Sequence, residues 1–353
     1  MRQVASDSGT RCYPPGTMTT SPLPRVHVLA TGGSIAGVGS SRTDFVDYPN
    51  SGRKFTIAEL LARIPEASTL ADVRAEQILN VGSNEVLPAH WLVLARRIAA
   101  IFRDDPQAAG VVITHGTATL EETAYFLSLV SRDERPVVVT GAQRPPTAIS
   151  TDADINLLDA IRVAADPGSR GRGGLVVLNN EIQAAREVTK TNSFRLETFR
   201  SNEIGFLGYA DADGRVAYYR TPTRRHTTAS EFDVAAIDAL PRVDITLAYA
   251  GVDGVVVRAL LAAGAQGIVS AGLGNGGSAP AHMDALREAQ RSGIPVVIAT
   301  QAGNGRVVPM KKFVEDGMLV ADNLSPRKAR ILLMLALTRT RDPAEIQRIL
   351  SAY

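Results

Sequence analysis

The sequence predicts an α/β protein of two domains, each built around a mainly parallel sheet. Three observations predict it. The chain has 353 residues, beyond the size at which a single hydrophobic core keeps growing, so two domains are expected. Short apolar runs of about five residues, rich in β-branched side chains and without alternation, recur along it, as they do in strands covered on both faces. Between them lie stretches with an i, i+3, i+4 apolar stripe, the pattern of helices in βαβ units.

In chain order, residues 1–24 hold Pro14, Pro15, Gly16, Pro22 and Pro24 but no apolar signal region. They are expected to form a disordered leader and not a secretory signal, with Met18 as an alternative start. Buried strands are expected at Val26–Ala30, Gly110–Thr114, Pro136–Thr140 and Leu175–Leu178. Helices are expected at His90–Phe102, Leu120–Val130 and Ile155–Ala165, the first striped by Trp91, Leu94, Ala95, Ile98 and Phe102. A hairpin over Tyr209–Tyr219, turning at Asp213-Gly214, ends a first domain of residues 25–220. Residues 221–240 open on a polar, aperiodic stretch and are expected to be a linker. Residues 241–353 resume the α/β alternation, with strands near Val243–Tyr249, Gly267–Val269 and Val296–Thr300. A helix is expected near Val255–Ala263 and a closing pair at Pro326–Thr338 and Pro343–Ser351.

Composition excludes several classes. Hydrophobic residues make up 45% and charged residues 21%, as in ordinary globular proteins. A net charge of +2 with scattered basic residues argues against nucleic acid or a membrane surface as partner. No apolar run approaches the roughly 20 residues that span a bilayer. The single cysteine, Cys12, can form neither an intrachain disulfide nor a zinc site, and the cytoplasm is the expected compartment.

Ligands of open parallel sheets bind beyond the carboxyl ends of the strands, so the segments there carry the functional argument. Thr31–Gly37 reads TGGSIAG. Its paired glycines allow a sharp turn and a close backbone approach, and Ser34 is either a helix N-cap or a presented hydroxyl. The spacing is not that of a dinucleotide-binding loop. Thr114–Thr123 reads THGTATLEET, in which Thr117, followed by Glu121 and Glu122, resembles a capping arrangement as much as a reactive hydroxyl. His115 is expected to be a hydrogen-bonded loop histidine, and no residue is spaced to make a metal site with it. Asp152, Asp154 and Asp159 lack the register of a calcium loop and are expected to be carboxylates of a helix N-terminus. Lys190, in EVTKTN, is either a surface lysine or one buried beside a hydroxyl and able to act as a base.

Taken jointly, VLATGGSIAG (28–37), ILNVGSNE (78–85), VVITHGTATLEETAYFL (111–127), VVVTGAQRP (137–145), REVTKTN (186–192), RTPTRRHT (220–227), GIVSAGLGNG (267–276) and PRKARILLMLALT (326–338) resemble the bacterial-type L-asparaginase and glutaminase-asparaginase family, in family order. The resemblance implies a larger N-terminal and a smaller C-terminal α/β domain. It implies hydrolysis of the side-chain amide of L-asparagine to aspartate and ammonia, without metal or cofactor, on a small-molecule amide substrate. Ser34 stands at the place of the family's nucleophilic threonine. Tyr48 matches the loop tyrosine that assists it, and Thr117 and Lys190 match the second hydroxyl–lysine pair. Ser83 matches the serine that binds the substrate carboxylate, Asn84 follows it, and Gly33, Gly116 and Ala118 complete the substrate-binding set. The resemblance further implies a homo-oligomer, a dimer or a tetramer, with sites at an intimate dimer interface.

The chain also departs from the pattern. Serine replaces threonine at position 34. Ala118 replaces the aspartate that holds the substrate's α-ammonium group. Gly251 stands where many members carry an asparagine, and Gln301–Gly305 offers no match for a glutamate that completes the site from a neighbouring subunit. An amidase acting on a small amide without the α-amine, or a weakly catalytic member that binds an amino acid, are the alternatives these departures raise.

Overall fold

The computed structural model describes residues 22–353. Residues 1–21 of the expected leader, Cys12 and Met18 among them, lie outside the described residues. The first sheet has eight strands: β1 (Arg25–Gly32), β2 (Asp72–Val81), β3 (Ala108–Thr114), β4 (Val137–Thr140), β5 (Gly174–Leu178), β6 (Glu181–Ala184), β9 (Gly208–Ala210) and β10 (Val216–Tyr218), with β7 (Thr189–Lys190) and β8 (Phe199–Arg200) forming a separate ribbon. Its order is β10-β9-β6-β5-β4-β3-β1-β2, parallel from β2 to β5.

Parallel neighbours require crossover helices. These are α3 (Pro88–Asp104), α4 (Leu120–Val130) and α5 (Ala153–Ala165), while the shorter α1 (Ile57–Ala62) and α2 (Ala67–Leu70) lead into β2. A reciprocal capping box between Thr56 and Glu59 starts α1. Alternate strand residues face opposite layers, as the pleat demands. Val26, Val28, Val112, Val138 and Val177 pack with α1 and α5, whereas Leu29, Val111, Ile113, Val137 and Val139 pack with α3 and α4. Coverage on both faces is why these strands read as unbroken apolar runs.

Two strands depart from the expectation. β2 is an edge strand whose outer positions are partly exposed, so its sequence DVRAEQILNV carries charges and loses the buried-strand signature. β6 turns back antiparallel through Asn179 and Asn180, whose φ values of 54° and 61° are both left-handed. Asparagine tolerates that region, and a two-residue loop with both central residues in it is the turn that twisted hairpins prefer. The sheet is therefore mixed beyond β5.

The second sheet is parallel, β11 (Val243–Leu247), β12 (Gly267–Gly272), β13 (Val296–Thr300) and β14 (Leu319–Val320) in sequence order. It is flanked by α6 (Val255–Ala262), α7 (Pro280–Arg291), α8 (Lys311–Glu315), α9 (Pro326–Leu337) and α10 (Pro343–Ala352). Helix α9 packs on β11 and β12 of its own domain and on α4 of the first, so one apolar core runs through both sheets. The stretch expected to be a linker is anchored in that core. Phe232 is buried with its ring centroid 5.0 Å from that of Tyr353, and the Tyr353 hydroxyl accepts the Glu231 N–H at 2.7 Å.

Candidate active site

Strands β1 and β3 are adjacent and parallel, with Ala30 opposite Thr114. Their carboxyl ends deliver TGGS and THGT side by side. Gly33 has φ 84° and ψ −167°, a conformation open essentially to glycine. A Cβ there would lie 2.1 Å from Gly116 Cα and 2.2 Å from Gly116 N. The two loops thus touch through bare backbone at the residues immediately before Ser34 and Thr117. Thr31 Oγ1 donates to Thr114 O at 2.8 Å and ties the strand ends together.

Neither hydroxyl serves as a cap. Ser34 opens a single 3-10 turn whose N-cap is Gly33, and its Oγ accepts a 2.7 Å hydrogen bond from the Tyr48 hydroxyl. The Asp44 carboxylate organises the Tyr48 loop by accepting the N–H groups of Ser40, Asp47 and Tyr48 at 3.0, 2.9 and 3.1 Å. Thr147 Oγ1 fastens the same loop by accepting the Gly39 N–H at 2.8 Å. Burial pushes the Tyr48 phenol above its ordinary value, against the opposing effect of the Ser34 bond.

Thr117 is buried, and its Oγ1 accepts from Lys190 Nζ at 2.8 Å. The N-cap of α4 is Thr119, whose side chain reaches Ser83 O instead of the helix. Lys190 is not a surface lysine. Burial lowers its affinity for a proton, and the Glu121 carboxylate, which accepts the Lys190 backbone N–H at 2.9 Å, works in the opposite sense. The Thr117 side faces Ser83, which is buried and whose Oγ accepts the Ala118 N–H at 3.2 Å. Asn84 and Ala118 are exposed at the rim.

His115 lies beneath the loops, fully buried. Its Nδ1–H donates to Gly116 O at 2.8 Å, and its Nε2 takes the Thr123 hydroxyl at 2.9 Å. Thr123 Oγ1 in turn accepts the Trp91 indole N–H at 2.9 Å. Every group in this chain is satisfied by one proton on the imidazole, and burial lowers the histidine to about 4. It holds the Gly116 loop and stays neutral. Asp152 stands at a helix N-terminus as expected, as the N-cap residue of α5, but its carboxylate caps no helix N–H; it accepts the N–H groups of Gln143 and Arg144 at 3.0 and 2.9 Å, fixing the loop after β4. Asp159 lies within α5, fully buried against Arg162 and Asn180 at 2.6 and 2.8 Å, and burial raises it to about 6. Asp154, in the first turn of α5, pairs with Arg63 at 2.8 Å. Among the described residues no cluster of His, Cys, Asp or Glu is arranged to hold a metal.

A cavity of about 620 Å³ contains neither Ser34 nor Thr117. It lies between the domains behind β7, lined by Glu121, Glu187, Thr189, Gln301, Arg327 and Lys328 among others. The hydroxyls themselves sit at the open strand ends. Sequence reasoning had no local signal for Glu121, Arg327 or Lys328 as neighbours of the site, because those contacts span up to 206 residues of chain.

Residues 25–224 match the family described as Asparaginase, N-terminal, and residues 242–350 match Glutaminase/Asparaginase C-terminal domain. The chain is 43% identical over 331 residues to L-asparaginase 2 of Bacillus subtilis, spanning 94% of this chain and 87% of that one. It is also 43% identical over 328 residues to the probable periplasmic L-asparaginase of Haemophilus influenzae, spanning 92% of each. The crystal structure of the probable cytoplasmic L-asparaginase of Campylobacter jejuni superposes with a TM-score of 0.89 at 40% identity, covering 93% of this chain and 99% of that one. Both domains, in this order, are matched along nearly the whole described chain: this protein belongs to the asparaginase family.

Proposed function

We propose that the chain hydrolyses the side-chain amide of L-asparagine to aspartate and ammonia, with Ser34 as nucleophile. One observation carries the reading: two hydroxyls follow adjacent parallel strand ends, each hydrogen-bonded to a titratable partner, Ser34 to Tyr48 at 2.7 Å and Thr117 to Lys190 at 2.8 Å. A hydroxyl is a poor nucleophile at neutral pH and needs a neighbouring base. Tyr48, held above the ordinary phenol range, does not rest as phenolate. It serves as a relay, reversing its bond to Ser34 and passing the proton on as Ser34 Oγ bonds to the amide carbon. The C–N bond then breaks and nitrogen leaves as ammonia with a relayed proton. Water cleaves the resulting ester, releasing the acid and restoring Ser34. Lys190, partly desolvated, is suited to accept a proton through Thr117. The Thr117 backbone N–H makes no hydrogen bond among the described residues, and one preorganised donor of this kind contributes about 3 kcal/mol to an oxyanion. In this reading Ser83 and Asn84 take the substrate carboxylate, Gly33 and Gly116 line the floor, and Ala118 stands at the rim.

Ammonia release from L-asparagine, D-asparagine, L-glutamine, succinamic acid and aliphatic amides, each run beside Ser34→Ala, tests this. Release from L-asparagine that Ser34→Ala abolishes is the expected result, and full turnover by Ser34→Ala overturns the assignment of the nucleophile. A second reading, an amide lacking the α-amine, rests on Ala118. The side chain there ends in a methyl group, and two neighbouring carboxylates are engaged, Glu85 of the Ser83 turn by the Gly82 N–H at 3.0 Å and Glu121 by the Lys190 N–H at 2.9 Å. An unpaired ammonium in a closed site costs several kcal/mol. Release from succinamic acid without release from L-asparagine establishes that reading, and binding without turnover across the panel establishes the amino-acid-binding alternative.

We further propose a homo-oligomer, a dimer or tetramer, in the cytoplasm. Leu247, Tyr249 and Leu273 are 55, 56 and 48% exposed at the carboxyl ends of β11 and β12, an apolar edge suited to a second copy. No helix of the described residues is long and apolar enough to cross a membrane. A monomer by light scattering with full activity refutes the first point. Because one of the relatives bears a periplasmic name, fractionation of the native cell decides the second.

A further inference from the structure

Lys190 belongs to the first domain, yet part of what holds the segment it lies on belongs to the second. The extended segment that carries it leaves β6 at Ala184, passes Arg186 and Val188, and forms the two-residue strand β7. Lys328, in the first turn of α9, is 2% exposed, and its Nζ donates to the carbonyls of both Arg186, at 2.7 Å, and Val188. The residue before it, Arg327, donates to Glu121 Oε1 at 2.6 Å, while Glu121 Oε2 accepts the Lys190 backbone N–H at 2.9 Å. Glu121 is 1% exposed, so both of its oxygens are committed inside the protein.

We propose that the first turn of α9 is the positioning device for Lys190: Lys328 fixes the chain just before it, and Arg327 fixes its amide through Glu121. This rests on the reading that the Thr117–Lys190 pair acts in catalysis. Lys328 and Arg327 are positioning residues. Neither hydrogen-bonds to either hydroxyl, and they act on the reaction only by holding Lys190 Nζ on Thr117 Oγ1. Activity then depends on how the second domain is seated on the first, since the grip comes from one and the reacting pair from the other.

The arrangement is asymmetric in charge, and that makes it testable. The charged groups on the elements around Lys190 are Glu121 and Glu122 on α4, Arg327, Lys328 and Arg330 on α9, Arg200 on β8, and Arg186 and Glu187 on the segment itself. Glu121 favours the protonated lysine and Arg327 offsets Glu121. Removing Arg327 leaves Glu121 unbalanced and frees the lysine's backbone, so both effects favour the protonated form. Glu121→Gln keeps an acceptor for the Lys190 amide and removes the charge, which favours the neutral amine. Loss of a purely structural contact moves neither.

The experiment measures kcat and KM against pH, on the amide the wild type turns over, for wild type, Arg327→Met, Arg327→Lys, Glu121→Gln and Lys190→Met. Arg327 is half exposed and its replacement leaves a folded protein, which circular dichroism checks. Expected for Arg327→Met is a fall in kcat of about tenfold, KM within about twofold, and an acid limb displaced to higher pH. Arg327→Lys recovers most of the loss, and Glu121→Gln displaces the acid limb to lower pH. If Lys190→Met is inactive but Arg327→Met and Glu121→Gln keep the wild-type limb, the positioning proposal is overturned and the reading of the pair survives. If Lys190→Met retains full activity, the pair itself is not catalytic.

Discussion

Lowering the pH from 7.5 to 4.5 should unload a specific part of this protein's stability through one buried imidazole. His115 is fully buried and satisfied as a neutral ring, donating from Nδ1 to Gly116 O at 2.8 Å and accepting the Thr123 hydroxyl at Nε2 at 2.9 Å. A second proton would sit on Nε2 facing a hydroxyl already shared with the Trp91 indole. Burial accordingly lowers the group from 6.5 to about 4. Between those values the unfolded chain binds more protons than the folded one, so stability rises with pH through that window and is lost as pH falls. At about 1.4 kcal/mol per pH unit, the linkage amounts to about 2.5 kcal/mol between pH 7.5 and 4.5. The assay is urea unfolding of wild type and His115→Asn at fixed protein concentration, read by the fluorescence of the single tryptophan, Trp91, which belongs to the same hydrogen-bonded chain. His115→Asn is expected to be the less stable protein at pH 7.5, because its amide can still donate to Gly116 O but nothing remains at the Nε2 position to accept the buried Thr123 hydroxyl. The gap should close by about 2.5 kcal/mol at pH 4.5, since every other titrating group is common to both. A gap that stays constant across this range refutes the neutral buried imidazole.

The two loops provide further predictions. Gly33→Ala forces a Cβ to within 2.1 Å of Gly116 Cα at φ 84°, where backbone meets backbone and nothing flexible can yield. It should cost at least about 3 kcal/mol in stability and abolish activity; a folded variant with wild-type melting temperature and kcat would disprove the bare-backbone contact. Thr117→Val removes the oxygen that accepts from Lys190 Nζ while preserving shape. Its kcat should fall by about a hundredfold with a small change in melting temperature, and an unchanged kcat would show that the pair is idle.

The strand-end loops were legible because their chemistry is local. Gly33 and Ser34 adjoin the strand that positions them, as do Gly116 and Thr117, and the apolar runs of β1, β3, β4 and β5 are buried on both faces. The edge strand β2 was not, because Arg74 and Gln77 at exposed positions and the half-buried Glu76 interrupt any hydrophobic run. The turn at Asn179-Asn180 was missed although adjacent asparagines are a known left-handed signal. Tyr48 entered through resemblance alone: its loop has no periodicity, and its place beside Ser34 depends on Asp44 and on Thr147, about a hundred residues on. The capping roles considered for Ser34 and Thr117 failed for a common reason. Each hydroxyl had a longer-range partner, and the caps of the adjoining turns fell on Gly33 and Thr119. Arg327 and Lys328 were invisible as neighbours of Lys190, since helix α9 reads simply as an amphipathic closing helix until its first turn is docked against the other domain.

That docking changes how the two hydroxyls should be compared. Ser34 is partly exposed and its partner comes from a surface loop, so the Ser34–Tyr48 contact can open to admit substrate and reverse its proton. Thr117 is buried, and its partner is fixed along the backbone by Glu121 and by the carbonyl grip of Lys328. A nucleophile must approach the amide carbon and leave it again, whereas a group that holds and returns a proton gains from being immobile. Under the proposed function the labour divides by exposure: the hydroxyl on the open side, Ser34, is suited to attack, and the buried one, Thr117, whose lysine is held from both domains, is suited to pass protons to and from Lys190.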